Sequence, residues 1–350
     1  MTERHSDRPS RAGTPDAQQP ARHVPVLLDA VVDALAPQDD AVYVDGTFGG
    51  GSYSEALLAA ARCRVFGIDR DPDAVESGRD LAERYAGRLR ILEGRFGDME
   101  RLLAPVNAGP IAGIALDLGI SSTQLDTPER GFSFRFDGPL DMRMGGAGQN
   151  AADLVESLSE AELAELIRGF GEERFARRVA RAITVARQRQ QIRRTVELAE
   201  IVRTAIPKSE PGQDPATRTF QALRIAVNDE LGELYRGLLA AERLLAPGGR
   251  LAVVTFHSLE DRIVKRFLAR GSGRGRATSR LLPGEQVQAE PTFVVPRGQP
   301  IEADEAEASA NPRSRSAKLR FAVRSAAPAR GVDRAIEALT NLPARARRTS

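Results

Sequence analysis

The chain is poor in the residues that build several familiar kinds of site. Its 350 residues include one cysteine, Cys63, no tryptophan and three histidines. A single thiol can form neither a disulfide framework nor a cysteine metal site, and it fits a reducing compartment, the cytoplasm. Cys63 reads as a packing residue. The histidines His5, His23 and His257 are too scattered to suggest a zinc cluster, so no metal is expected. No apolar run approaches the roughly 20 residues needed to cross a bilayer, so no membrane contact is expected. Residues 1–22 carry charge without an apolar segment and read as a disordered tail, not a signal peptide. With no tryptophan and no RRM-like aromatic motif, a base-stacking platform is a poor expectation too.

What is present is ordinary globular composition, 41% hydrophobic and 28% charged, enough for a sizeable core. The net charge of +2 conceals an asymmetry. Arginines cluster in "ERFARRVARAITVARQRQQIRR" (Glu173–Arg194) and "ARGSGRGRATSR" (Ala269–Arg280). Such runs are either solvated helix faces or the footprint of a polyanion.

Strands alternate with helices along the first third. "AVYVD" (Ala41–Asp45), "RVFGID" (Arg64–Asp69), "LRILEG" (Leu89–Gly94) and "GIALDLG" (Gly113–Gly119) read as strands, with helices between them. That spacing predicts a parallel sheet covered on both faces. The alternation then stops. "SEAELAELIRGFG" (Ser159–Gly171) is a helix with a serine cap, a glutamate three residues on and a closing glycine. The arginine-rich segment and "TVELAEIVRTAI" (Thr195–Ile206) supply two more helices. The α/β pattern returns with a long helix from about Thr219, a buried strand Arg250–Phe256, a helix capped by Ser258, and a late strand Ala317–Ser325. The expected architecture is therefore a doubly wound, mostly parallel, Rossmann-like α/β sheet with an all-helical inserted domain. Its parts are a core over 23–133 and 219–326, an insertion for substrate recognition over 134–218, and a C-terminal tail over 327–350.

The ligand is read from "AVYVDGTFGGGSYS" (Ala41–Ser54). A phosphate-binding loop would need lysine after its last glycine, and none is there. A dinucleotide fingerprint is present only in degraded form at Gly49, Gly51 and Ser54. Asp45, directly before the glycines, would repel a pyrophosphate but suits the cationic methionine end of S-adenosylmethionine (SAM). Asp69 ends the second strand, where a carboxylate can accept both ribose hydroxyls, and Phe96 and Asp98 in "GRFGD" can flank an adenine. Asp117 ends the fourth strand. Glycines that merely turn a chain do not account for acids at these strand ends, so SAM is the expected cofactor.

At this point the chain resembles a particular family. "YVDGTFGGG", "GIDRDPDA", "LDLGISSTQLDTPERGFSFRFDGPLDMRM", "GEERFARRVARAI", "ATRTFQALRIAVNDEL", "TFHSLEDRIVKRF" and "NPRSRSAKLRFAVR" are similar to the RsmH (MraW) family. The likeness runs from His23 to about Arg324. It implies a class I SAM-dependent methyltransferase that modifies the exocyclic N4 amino group of a cytidine in the decoding region of small-subunit (16S) ribosomal RNA. It further implies cofactor contacts at Gly51, Ser52, Tyr53, Asp69, Phe96, Asp117 and Gln124, which join Asp45 and the turn glycines Gly49 and Gly50 as expected cofactor-binding residues. One departure stands in the loop, where Gly51-Ser52-Tyr53 replaces a usual Gly-Gly-His.

An amino nitrogen conjugated with a ring is a poor nucleophile, so the enzyme must accept its N–H hydrogen bonds and align it with the methyl donor. Asp117 and the loop to Ser121 are the expected acceptors, although Asp117 can equally serve the adenine. His257 is a candidate for the departing proton or for an RNA contact, or else a satisfied hydrogen-bonding residue. Asp261 suits helix capping as well as chemistry. Asp141 and Arg143 are candidates to position the nucleotide, while Met142 and Met144 suit packing. Arg174, Arg177, Arg178 and Arg181 lie close along one helix and suit phosphate contacts. The rival readings are an amino-methyltransferase of another nucleic acid, a SAM-binding ribosome assembly factor and a nicotinamide dehydrogenase. A homodimer is left open.

Overall fold

The computed structural model describes residues 25–207, 212, 214–274 and 290–342. The expected N-terminal tail, the second half of the second basic run and the last eight residues lie outside the described residues.

The core is one sheet in the order β3-β2-β1-β4-β5-β8-β6, with β7 also paired to β8. The strands are β1 (Val42–Asp45), β2 (Arg64–Asp69), β3 (Leu89–Glu93), β4 (Ile111–Asp117), β5 (Leu245–Thr255), β6 (Phe293–Val294), β7 (Ile301–Glu302) and β8 (Lys318–Arg324). The first five run parallel, and β8 is antiparallel to β5, β6 and β7. Side chains alternate between faces with the two-residue period of a strand. Val42 and Val44 join one apolar cluster with Ile114, Leu116 and Val253, whereas Tyr43 joins the other with Ala115, Ala252 and Val254. Both faces are buried, which is why the parallel strands read as continuous apolar runs.

Helix α1 (Leu28–Leu35) precedes the sheet, α2 (Ser52–Ala60), α3 (Pro72–Arg84) and α4 (Met99–Leu103) fill the crossovers of the first half, and α5 (Ser122–Asp126) follows β4. The insertion holds α6 (Ala151–Ser157), α7 (Glu160–Gly171), α8 (Ala176–Arg187) and α9 (Thr195–Ala205) around its own apolar core, which includes Leu163, Ile167, Val179, Ile183 and Leu198. The chain returns through α10 (Thr217–Asn228) and α11 (Glu230–Leu244). α12 (Ser258–Gly271), α13 (Glu305–Ala310) and α14 (Arg334–Glu337) complete the fold. Ile336 of α14 is buried in the sheet's core, so the chain beyond β8 remains packed.

Three details differ from the sequence reading. The long helix expected from Thr219 is two helices, because Asp229 takes a left-handed conformation (φ 51°) and turns the chain. Helix α7 has the expected box between Ser159 and Glu162, but its left-handed C-cap is Glu172, not glycine. Gly171 is needed for closeness instead, since a Cβ there would lie 2.4 Å from the Arg218 carbonyl. Finally, α12 is capped by His257, with Glu260 as its reciprocal partner, and not by Ser258. Asp261 pairs with Arg320 at 2.7 Å and so braces α12 against β8.

Candidate active site

The carboxyl ends of β1, β2 and β4 open into one cavity of about 960 Å³. This is where ligands bind in open α/β sheets, because the strands end there and the loops diverge. Asp45, Asp69 and Asp117 all line it, together with Gly49, Gly50, Ser52, Tyr53, Phe96, Ser121 and Gln124.

The glycine loop is shaped by a buried ring. Phe48 sits in a slot whose walls are Gly51, Gly67 and Gly78; a Cβ on any of them would approach the ring within 2.5–2.7 Å. Gly51 also has φ +78°, a conformation that side chains resist, and it starts α2 without lining the cavity. Gly49 (φ +50°) turns its N–H onto Asp69 Oδ2 at 2.8 Å. Tyr53 is buried and donates its hydroxyl to the Val26 carbonyl at 2.5 Å, so the ring closes the loop against the N-terminal segment.

The acids differ in how they are held. Asp45 is 1% exposed and accepts from Ser54 Oγ at 2.8 Å; burial raises its pKa to about 6 despite that hydrogen bond. Asp69 accepts the Gly49 and Asp71 N–H groups, one on each oxygen, yet burial still lifts its titration above the usual carboxylate range. Asp117 is the least satisfied. Its Oδ1 is buried with no donor among the described residues, and burial, with Asp45 and Glu260 nearby, pushes its carboxyl well above the ordinary value. A cation placed among these three groups would lower all three pKa values and would itself be stabilised. That fits a sulfonium and opposes a phosphate.

Other candidates prove to be occupied. Gln124 completes a capping box with Ser121 and donates to Asp71 at 2.6 Å. It lines the cavity as a braced wall. Asp98 lies outside the lining and faces Arg101. Asp141 and Arg143 clasp each other at 2.7–2.8 Å around the left-handed Met142, away from the cavity, while Met142 and Met144 are buried in the insertion core. Arg177, Arg178 and Arg181 are exposed along α8. Arg174 precedes that helix and lies over the Phe175 ring at 4.7 Å. His257 is not a lining residue. Its Nδ1 accepts the Glu260 N–H at 3.4 Å, which places the proton of a neutral ring on Nε2. It is therefore a poor acceptor for a departing proton.

Residues missed by the sequence reading also line the cavity: Arg224, Glu230, Phe256, Glu260 and Arg313. Glu230 and Glu260 come within 4.8 Å of each other and of His257, a grouping able in principle to approach a cation. Glu230 is taken, however. Arg224 grips both Glu230 oxygens at 2.9 Å, while His257 Nε2 lies 3.2 Å from Glu260 Oε1 without a hydrogen bond to it. The available signals were the "NDEL" turn, which swings Glu230 off the helix axis, and the box spacing between His257 and Glu260.

A parallel sheet of this order with one antiparallel strand, a glycine turn after β1 and acids at β1, β2 and β4 defines a class I methyltransferase. The chain belongs to the MraW methylase family, whose profile matches residues 20–325. The resemblance carried by "RGFSFRFDGPLDMRM" is thereby borne out. The chain is 61% identical over 318 residues to the ribosomal RNA small subunit methyltransferase H of Rhodospirillum centenum, covering 91% of this chain and 97% of that protein. It is 60% identical over 311 residues to the protein of the same name from Paramagnetospirillum magneticum, covering 89% and 98%. Among solved structures the likeness is looser: the precorrin-6y C5,15-methyltransferase of Geobacter metallireducens gives a TM-score of 0.37 at 9% identity, covering 85% of this chain and 88% of that one.

Proposed function

We propose that this chain transfers a methyl group from SAM to the exocyclic N4 amino group of a cytidine in the decoding region of small-subunit (16S) ribosomal RNA. The observation that carries the reading is the set of three strand-end carboxylates on one cavity, with Asp117 Oδ1 buried and lacking a donor among the described residues, in a member of this family. When bound, SAM supplies an already activated methyl on a sulfonium.

The residues divide the remaining work. Asp69 accepts ribose hydroxyls, and Phe96 closes the adenine side against α11, where Gly237 leaves room for its ring. The backbone of Gly49, Gly50 and Ser52 holds the amino-acid end, and Asp45 faces the positive charge. Backbone contacts of this kind tolerate Ser52 and Tyr53 in place of Gly-His, with the Tyr53 hydroxyl committed to Val26. Asp117 accepts a hydrogen bond from the target amino group, drawing it out of conjugation and into line. The insertion roofs the cavity as a pocket for an unstacked base. Its exposed cations, Arg174, Arg177, Arg178 and Arg181, meet phosphates, which gives position but not sequence choice.

The test is to incubate the protein and labelled SAM with small subunits from a strain lacking the gene, then digest and identify the nucleoside. Label in N4-methylcytidine is the expected result. Label in another nucleoside overturns the substrate, and SAM binding without incorporation marks an assembly factor. Asp117→Asn, which keeps shape but reverses an acceptor, is expected to lower turnover by about 10²–10³-fold.

A further inference from the structure

The cavity holds a second acid in the opposite condition to Asp117. Glu260 is 2% exposed and lines the same cavity. Its Oε2 accepts the Phe256 N–H at 2.8 Å and the His257 N–H at 3.3 Å, and its Oε1 lies 3.2 Å from His257 Nε2. Burial alone would raise its pKa, but His257, the Phe256 N–H and Arg224 outweigh that and hold it below the usual glutamate range. Asp117 in turn feels the charge of Glu260. Before the sulfonium arrives, these environments pull the two acids apart, Glu260 toward its ionised form and Asp117 toward its neutral one.

We infer that Glu260 is a catalytic residue: it accepts the second hydrogen of the target amino group, opposite Asp117, and takes the proton that the methylated nitrogen releases. The inference rests on the amino-methylation reading above. An amino nitrogen carries two hydrogens, and orienting its lone pair requires an acceptor for each. Methylation leaves that nitrogen with a positive charge and one hydrogen too many. The N–H bond then breaks, its electron pair returns to nitrogen and the ring, and a new O–H bond forms on Glu260. The proton passes on to water when product leaves. Such a ring-conjugated ammonium is strongly acidic, so a carboxylate of low basicity is a sufficient base. His257 acts through Glu260 as a positioning residue: its Nδ1 ties the Glu260 backbone, and its Nε2 sits beside the carboxylate. Arg224 does the same for Glu230.

The competing account is that Glu260 only caps α12. Glu260→Gln separates the two, because the amide oxygen still accepts the backbone N–H groups while the negative charge and the base are lost. Three measurements are made on wild type and variant: thermal unfolding, affinity for S-adenosylhomocysteine by calorimetry, and the pH profile of methyl transfer to small subunits. The expected variant melts within a few degrees of wild type and binds the nucleoside product with unchanged affinity. It loses about 10²–10⁴-fold in kcat and loses the acid limb of the profile. His257→Asn, a good N-cap, is expected to shift that acid limb upward while keeping much of kcat. Turnover of Glu260→Gln within threefold of wild type overturns the inference, as does a loss that follows a fall in product affinity or in melting temperature. If wild type itself labels no cytidine, it is the amino-methylation reading that fails.

Discussion

The cavity edge of the sheet and the outer face of the insertion hold charge in opposite ways. At the cavity, Asp45, Asp69, Asp117 and Glu260 are withdrawn from water, and each has its pKa moved by its surroundings. On α8 the charges are exposed arginines standing over a separate apolar core. Buried charge is unfavourable until a partner of opposite sign arrives, so the cavity is preorganised for one small cation and one base. Exposed charge costs little and discriminates little, which suits a long polyanion met at many points. Chemistry and choice of atom therefore belong to the sheet, and docking belongs to the insertion.

The sharpest way to break this division is to disturb the sheet from behind, without touching a charge. Gly67→Ala places a Cβ 2.5 Å from the buried Phe48 ring and 3.0 Å from Ile91, which packs against the core. The ring has to move, and the turn carrying Gly49 moves with it. We expect a loss of about 1–3 kcal/mol in stability, as for other overpacked cores, and SAM affinity down by an order of magnitude or more, about one lost hydrogen bond's worth. Affinity for RNA should stay near wild type. Calorimetry with SAM and gel-shift with a subunit RNA fragment read the two separately, and an equal loss in both would erase the distinction between the regions.

Much of this was legible in the sequence because strand ends are local features. An apolar run that stops at an acid and turns through glycine marks its own place, so Asp45, Asp69 and Asp117 were found before any fold was known. The Ser159–Glu162 cap was legible for the same reason. What escaped depended on groups far apart in the chain. Glu260 reads as one more helical acid until β5 and α10 bring it beside Asp117 and Arg224. The role of Gly67 as a wall for Phe48 has no local mark at all, since the ring comes from the preceding loop. His257 was noticed for its chemistry, whereas its Nδ1 is committed to the helix N-terminus. Asp141 and Arg143 were noticed as charges, but adjacent opposite charges found each other first.

A second, smaller effect sharpens the electrostatic half of the comparison. Asp45 titrates near pH 6 when no cation faces it, above an unfolded value close to 4. The folded chain therefore binds the proton more tightly than the unfolded one, so this group's contribution favours folding below about pH 4 and is lost as pH rises toward 6. SAM reverses the preference, since its charge favours ionised Asp45 and Asp117. SAM binding should release protons, and its affinity should fall by up to about tenfold per pH unit below 6. S-adenosylhomocysteine, lacking the sulfonium charge, should show a flatter dependence. Titrations from pH 5 to 7.5 in buffers of different ionisation enthalpy measure both. Parallel curves for the two ligands would mean that the acids do not face the sulfonium.

The gentlest test falls on the insertion. Arg177, Arg178 and Arg181 are exposed on α8, whose opposite side, Ala176, Val179, Ala180 and Ile183, is fully buried. Replacing one of these arginines with glutamine removes charge without opening the core, so melting temperature and SAM affinity should not change. The Michaelis constant for small subunits should rise a few-fold per residue, and the slope of log affinity against log salt should become shallower by about 0.7–0.9 for each phosphate left without its arginine. The turnover number at saturating subunit should hold. A variant that loses turnover while keeping its salt slope would place α8 in the chemistry, and the separation between a sheet that reacts and an insertion that docks would have to be given up.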